Sequence, residues 1–407
     1  MTGAGTILRA AALLGTETRY VLRLYAARVF LAFTAILAVV LSLDLAINLD
    51  QLIQSQGPLE DDMQGRLVWY VVLRMGYNLP AIVPIATALG VLWAEWGLAR
   101  SNERMMIANS GRAPALSLMP AIVLGLILGA LQFVAVAHIQ PRVMEEQALA
   151  GYRDYGPRFR GELGPLRWIQ IEDAVIRARI DFSEGPEPVL REVRAFMLGP
   201  DGHLSDIVDA ALARPTGRPG IWTLSEARIW TAAAHGAGAI TVATEVELAL
   251  SLEPLWLGHA DIVPRFLPQH ALRALSAATG GVPRQWRFSA NLTERRSAPL
   301  VLLAFAVMTA TLCMKMLGPR GPLVAALKIG ALGYAVHVAL KTMAALAEYG
   351  YLSPLLGAWL VPGVVLAVCA WVLAREEWQV HRALGSTVQA GESRTSASPI
   401  KTRPSGP

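Results

Sequence analysis

Charge is the first thing in short supply. Only 16% of the 407 residues are Asp, Glu, Lys or Arg, while 54% are hydrophobic and the mean hydropathy is +0.42. Soluble domains carry about 25% charged residues, so this chain is too apolar for an ordinary water-soluble enzyme and reads as a membrane protein. Cysteine is nearly missing. The two present, Cys313 and Cys369, lie inside apolar runs, which argues against a disulfide framework or metal pair and marks them as small packing residues. No G-x-x-x-x-G-K-[ST] occurs, so the chain lacks the usual triphosphate cradle. Neither H-E-x-x-H nor G-x-S-x-G occurs, which counts against an intramembrane enzyme. The first twenty residues, MTGAGTILRAAALLGTETRY, contain no long apolar core followed by a small-residue cleavage site, so the first span is expected to be retained. A formal charge of +5 does not imply nucleic acid as a partner, because the Lys and Arg gather at the ends of apolar segments and form no stripe with aromatics.

What is present in abundance is long apolar sequence. Crossing a bilayer takes about 20 mostly apolar helical residues, and six segments qualify, near 29–49, 67–97, 115–139, 298–317, 323–348 and 354–374. The second is longer than a bilayer requires, so it is expected to tilt or project, and Pro80 and Pro84 are candidate kinks. Arg9, Arg19, Arg23 and Arg28 precede span 1, Arg100, Arg104 and Arg112 separate spans 2 and 3, and Arg375 and Arg382 follow span 6. The loop QLIQSQGPLEDDMQG between spans 1 and 2 is acidic, and EYGYLSP between spans 5 and 6 has no basic residue. The positive-inside rule then places both termini in the cytoplasm and residues 141–295 outside. Residues 1–140 are thus expected to form one membrane half and 296–376 the other. Residues 377–407 are expected to be a cytoplasmic tail, disordered from about Gly385 because it is polar and rich in Ser and Pro.

The exported insert reads as β. LRWIQI (166–171), AVIRARID (174–181), REVRAFML (191–198) and AITVATEVELALSL (239–252) carry alternating or β-branched apolar positions. GPDG, RPTGRPG and HGAGA mark turns. The spacing predicts one all-β domain, a sandwich or jelly roll. A helical piece, PQHALRALSAATGG, is expected to lead back to the membrane. The fold class is therefore an α-helical membrane protein with six transmembrane helices and an inserted all-β, jelly-roll-like domain.

One stretch interrupts the apolar pattern: WAEWGLARSNERMMIANSGRAP, residues 93–114. Ser101 can cap a helix, Glu103 lies in its first turn, Gly111 can take the left-handed position after its end, and Pro114 follows. A short cytoplasmic helix over 101–111 results. Glu103, Met106, Ile107 and Ser110 share a face by three- and four-residue spacing, giving an acidic head and an apolar body that suit a groove on a partner. The plain alternative is a solvated turn between two spans.

Three spans, a β-domain, three more spans and a Glu-bearing helix ending in Gly between spans 2 and 3 resemble the lipopolysaccharide export permeases of the LptF/LptG family. LARSNERMMIANSG (98–111) is similar to that family's coupling helix, with Glu103 and Gly111 at its most recognisable positions. NLTERRSAPLVLLAFAVM (291–308) resembles the family's approach to span 4, with Arg295 or Arg296 before Pro299. EYGYLSPLLGAWLVPGVVLAV (348–368) resembles its passage from span 5 to span 6, with Gly350, Pro354, Trp359 and Pro362 in order. LDLAINLDQL (43–52) looks closer to the LptG branch.

The resemblance implies an inner-membrane half-transporter that pairs with a paralogous six-span permease. An ABC ATPase dimer would dock on the coupling helices, through Glu103, Met106, Ile107 and Gly111 here, and a single-span partner with a periplasmic jelly roll would receive lipopolysaccharide. ATP would be held by the ATPase, with no cofactor and no metal on this chain. For a cargo with anionic phosphates, Arg74 and Lys341 are candidate contacts, since both lie roughly 10 to 13 Å inward from the outer ends of their spans. The alternative is that Lys341 snorkels outward and Arg74 pairs with Asp44 or with Glu60, Asp61 or Asp62. His337, one turn before Lys341, reads as a packing histidine. Where some family members carry a basic residue at the outer end of span 1, this chain has Ala46, Ile47 and Asn48. The rival function is a membrane-anchored scaffold presenting a β-domain without ATP coupling.

Overall fold

The computed structural model describes residues 15–54, 63–109, 114–150, 163–171, 173–183, 187–199, 201–218, 220–232, 238–260, 262–278, 281–317 and 322–395. Among the described residues, six helices are long and apolar enough to cross a membrane. The first two are α1 (Thr16–Gln54) and α2 (Met63–Arg100). The short helices α3 (Glu103–Asn109) and α4 (Pro114–Ser117) follow. Span 3 is built from α5 (Met119–Val134), a π-helical turn (Ala135–Ile139) and α6 (Gln140–Leu149). After the sheet come α7 (Pro254–Leu257), a 3-10 turn (Pro264–Phe266) and α8 (Gln269–Ala277). The last three spans are α9 (Trp286–Met316), α10 (Pro322–Glu348) and α11 (Pro354–Thr395).

Several helices overrun the limits that hydropathy sets. The 39 residues of α1 rise about 58 Å, roughly twice the thickness of a hydrocarbon core. On the side of the insert, α6 continues to Leu149 and α9 begins at Trp286, so helix reaches into both ends of the 141–295 segment. The polar sequence after Gly385 also continues α11 as far as Thr395, ten residues past the point where disorder was expected. Hydropathy marks where lipid ends, whereas a helix satisfies its own backbone and needs no lipid to continue.

Packing centres on α9. Phe305, Ala306, Val307, Met308 and Ala310 of α9 join Val21, Tyr25 and Val29 of α1, Val91, Ala94 and Leu98 of α2, and Ala121 and Leu124 of α5 in one buried cluster. Gly125 and Gly129 form a G-x-x-x-G step on α5. A Cβ on Gly129 would lie 2.6 Å from the Pro299 Cα, and one on Gly125 would lie 2.8 Å from the Leu303 Cα, so only glycine lets α5 approach α9 this closely. Pro80 and Pro84 both sit within the continuous α2. Pro84 has no N–H, so the Pro80 carbonyl loses its helical partner. The buried Gln132 side chain of α5 donates to that carbonyl at 2.8 Å, as the absence of water in a bilayer demands.

The insert forms one six-stranded antiparallel sheet, β1 (Leu163–Gln170), β2 (Ala174–Asp181), β3 (Val189–Leu198), β4 (Leu204–Pro215), β5 (Ile221–Thr231) and β6 (Ala239–Ala249). Each strand pairs with its neighbour in sequence. This differs from the two-sheet sandwich or Greek-key jelly roll that the strand spacing favoured. Short turns such as the one closed by Gly199 N–H to His203 O leave no long crossover, and a two-residue periodicity is the same in either topology. One face is buried around Ile176, Ile180, Leu190, Val208, Trp222 and Leu224, with the Trp222 indole donating to Leu252 O at 3.0 Å. At the far end of β2, burial works to raise the Asp181 carboxyl, but the Ser183 hydroxyl, the Ser183 amide and Arg191 together hold it below its ordinary 3.8.

The chain returning from the sheet is fixed to α9 by Arg295. This buried guanidinium donates to Gln269 Oε1 at 2.9 Å, Arg265 O at 3.0 Å and Leu267 O at 2.8 Å. Its neighbour Arg296 is exposed, so Arg295 is the residue of the pair that has a structural task. The α10–α11 turn closes on Gly350, one of the positions that carry the family resemblance. Gly350 has φ +82°, with Tyr351 N–H bonded to Leu346 O and Gly350 N–H to Ala347 O, a Schellman C-cap that favours glycine.

Candidate functional site

The charged interruption between spans 2 and 3 does form a helix, but α3 starts at Glu103. Ser101 does not cap it. The Ser101 hydroxyl reaches back to Gly97 O and Leu98 O and so finishes α2, while Asn102 O accepts from Met105 and Met106 N–H. Ser110 and Gly111 lie outside the described residues, as do Arg112 and Ala113.

The two faces of α3 divide differently from the spacing argument. Met106 is 72% exposed and Met105 is 55% exposed, so both point away from the permease. Ile107 turns inward and packs against the membrane core, which corrects its placement beside Met106 on an outward face. Glu103 is half-buried and accepts a hydrogen bond from the Tyr20 hydroxyl of α1 at 2.9 Å. A helix turns about 100° per residue, so Met106 and Ile107, three and four residues from Glu103, flank it on opposite sides and lie about 100° from each other, and contact with the bundle decides which one is covered.

Beneath α3 lies a cluster of groups that hydropathy alone does not identify. Glu95 of α2 is 1% exposed. It accepts from Arg104 Nη2 of α3 at 2.8 Å and also from the hydroxyl of the fully buried Tyr25 of α1. An acid inside an apolar span is itself a signal of function or pairing, and that signal could have drawn attention to Glu95.

The two candidate phosphate contacts are not brought into one site. Arg74 is 3% exposed, and its Nε lies 2.9 Å from Asp44 Oδ2, which also accepts from the Tyr70 hydroxyl at 2.7 Å. The structure therefore supports the alternative that pairs Arg74 with Asp44, binding α1 to α2. A buried guanidinium with a carboxylate at this distance has little charge left to offer a lipid. Lys341 of α10 is exposed, and its Nζ lies 3.3 Å from Glu294 of α9. One turn away, His337 lies near the ring of Phe305 at the edge of an apolar cavity of about 240 Å³ between α2, α9 and α10, lined also by Leu89, Ile329 and Tyr334.

A wider depression of about 580 Å³ lies on the sheet and is lined by Arg177, Glu192, Arg194, Asp209, Glu226 and Arg228. Val193, Ala210 and Val242 also line it, so charged and apolar groups share the surface. Within it Arg194 donates to Asp209, which raises its affinity for the proton. Among the described residues no group of His, Cys, Asp and Glu is placed to hold a metal.

No curated protein matches the sequence. The family model described as Lipopolysaccharide export system permease LptF/LptG matches residues 19–375, a stretch that runs from the first turn of α1 to the end of the apolar part of α11 and takes in α3 and the whole sheet. With a six-helix membrane body, a sheet inserted between its third and fourth spans and a short helix between its second and third, the chain belongs to the LptF/LptG family of lipopolysaccharide export permeases.

Proposed function

We propose that this chain is one half of an ATP-driven permease, in the LptG branch, which extracts lipopolysaccharide from the inner membrane and passes it to a periplasmic bridge. The observation that carries this reading is α3. Its two exposed methionines and Glu103 form a small apolar and acidic handle at the mouth of the helical bundle. Methionine is well suited to an adaptable contact, and an ATPase groove is the partner of matching chemistry. Nucleotide binds at that ATPase and needs no site on this chain. The arginines beside α1 and α3 support, by the positive-inside rule, a cytoplasmic position for this end and a periplasmic one for the sheet.

The exposed apolar faces support a paired assembly. Phe30, Leu43 and Ile47 of α1 and Leu323, Leu327 and Tyr334 of α10 are all exposed, and lipid or a second permease must cover them. Closure of the ATPases would move α3 and shift the balance between two arrangements of the pair. Lys341 is the cation we place at a lipid phosphate, because it is exposed beside the apolar cavity and its contact with Glu294 is solvent-accessible and weak. The open sheet edges at β1 and β6 offer main-chain donors and acceptors to the jelly roll of a single-span partner.

The test is affinity purification in mild detergent. The wild-type chain is expected to bring a nucleotide-binding subunit and a second six-span chain, and Glu103→Lys is expected to lose the ATPase. Recovery of the wild-type chain alone would favour a scaffold that is not coupled to ATP.

A further inference from the structure

We propose that Arg104 pins α3 to α1 and α2, making these three elements one lever that carries force from the cytoplasmic face across the membrane. The proposal rests on the reading that an ATPase pushes on α3, and names the residues through which the push would enter the bundle. Seven residues are too few to hold a helix by backbone bonds alone, since isolated helices below about 12 residues are marginal in water. The orientation of α3 must therefore come from anchors.

Besides the contact of Glu103 with the Tyr20 hydroxyl of α1, two anchors lie together on the inner side. Arg104 and Ile107 are three residues apart and both face inward, whereas Met105 and Met106 face out. Ile107 supplies packing, which can slide. Arg104 supplies direction, because its guanidinium meets a carboxylate that is itself enclosed and already holds the Tyr25 hydroxyl. Breaking one partner from such a buried pair leaves an uncompensated charge, so a push on the exposed face reaches Glu95 of α2 and Tyr25 of α1 before the pair separates.

The same two helices are locked again at the other side. Arg74 and Tyr70 of α2 converge on Asp44 of α1. From Arg74 to Glu95 the helix rises about 32 Å, close to the thickness of the hydrocarbon core. Between the two clusters, Gly90 brings α2 against the backbone of α1, where a Cβ would lie 2.4 Å from the Val29 Cα. Two helices clasped at both ends and in close contact between them move together. Arg104 is thus a positioning residue for transport, separate from the docking contact at Glu103.

The test uses the full chain in nanodiscs with its permease partner and ATPase, loaded with lipopolysaccharide. Glu95→Gln/Arg104→Met removes both charges, so no buried charge is stranded and the fold is kept. The variant is expected to retain the ATPase and to hydrolyse ATP, while lipid released per ATP falls by about 10-fold, within the ordinary range of coupling between sites. Spin labels at Met105 and Leu31, both exposed, are expected to give one narrow distance distribution in the wild type that broadens in the variant. The distance measurement is made in the permease pair without the ATPase, because Met105 belongs to the docking handle, and the ratio of lipid to ATP is read on the unlabelled complex. A wild-type ratio of lipid to ATP in the assembled complex, or a distribution that stays narrow, overturns the pin. Retention of the ATPase by Glu103→Lys would instead sink the docking reading and leave the distance measurement to decide the pin.

Discussion

Gln132→Leu tests how α2 tolerates two prolines inside a membrane. Pro84 cannot donate to the Pro80 carbonyl, and the Gln132 amide does so at 2.8 Å. Leucine at 132 would leave that carbonyl without a donor, at a cost of about 1–3 kcal/mol for an unsatisfied buried group. Part of the cost is returned, because Gln132 Oε1 is buried with no partner of its own among the described residues, and leucine removes it. The net loss should be about 1 kcal/mol, which is also the scale of interhelical hydrogen bonds measured in membranes. It corresponds to roughly a fivefold change in the folding equilibrium. Reversible unfolding in mixed micelles can resolve it if the measurement is made as a cycle with Pro84→Ala. Alanine restores the N–H of the helix, so Gln132→Leu should then cost almost nothing. An equal cost in the two backgrounds would refute the argument that Gln132 replaces the bond that proline removes.

Other outcomes follow from packing and charge. Gly129→Leu places a side chain where even a Cβ lies 2.6 Å from Pro299; it should cost about 1–3 kcal/mol or more by overpacking and lower the yield of folded protein by size-exclusion chromatography, whereas wild-type yield would show that α5 and α9 can part. Asp181 is held below 3.8 when folded, so its stabilising contribution is present above that value and is lost as pH falls through the lowered one. The thermal midpoint of the sheet should therefore fall in acid, and Asp181→Asn should be less stable at neutral pH and less sensitive to acid. A photo-crosslinker at Lys341 should capture lipopolysaccharide while one at Arg74 should not, and the reverse result would return Arg74 to the lipid site.

The chain's broad organisation was legible because it depends on local properties. Span number and the β insert could each be read from a window of residues. The motif around Pro299 was legible too, although only burial singles out Arg295 from Arg296. The strand argument found β1, β2, β3 and β6 but did not single out β4, LSDIVDAALARP, or β5, IWTLSEARIWT. Local backbone distortion explains part of this. Glu226 has φ +53°, and the buried positions of β5 pass from Trp222 and Leu224 to Ala227, so strict alternation fails there although the pairing register on both sides is kept.

At the site, sequence located the short helix and Glu103 and offered Asp44 among the partners of Arg74, but it gave neither the orientation of Ile107 nor the partner of Arg104. Asp44 and Tyr70 are 26 positions apart, and Tyr20 and Glu103 are 83 apart. By itself the sequence determined that six helices enter lipid and that a sheet interrupts them, because apolar transfer energies add along a window of about 20 residues. Only the tertiary structure decided which charges are clasped inward and which remain exposed. That choice depends on the rotation of each helix about its axis, fixed where glycines on α2 and α5 allow α1 and α9 to approach, and no local sum of hydropathy contains it.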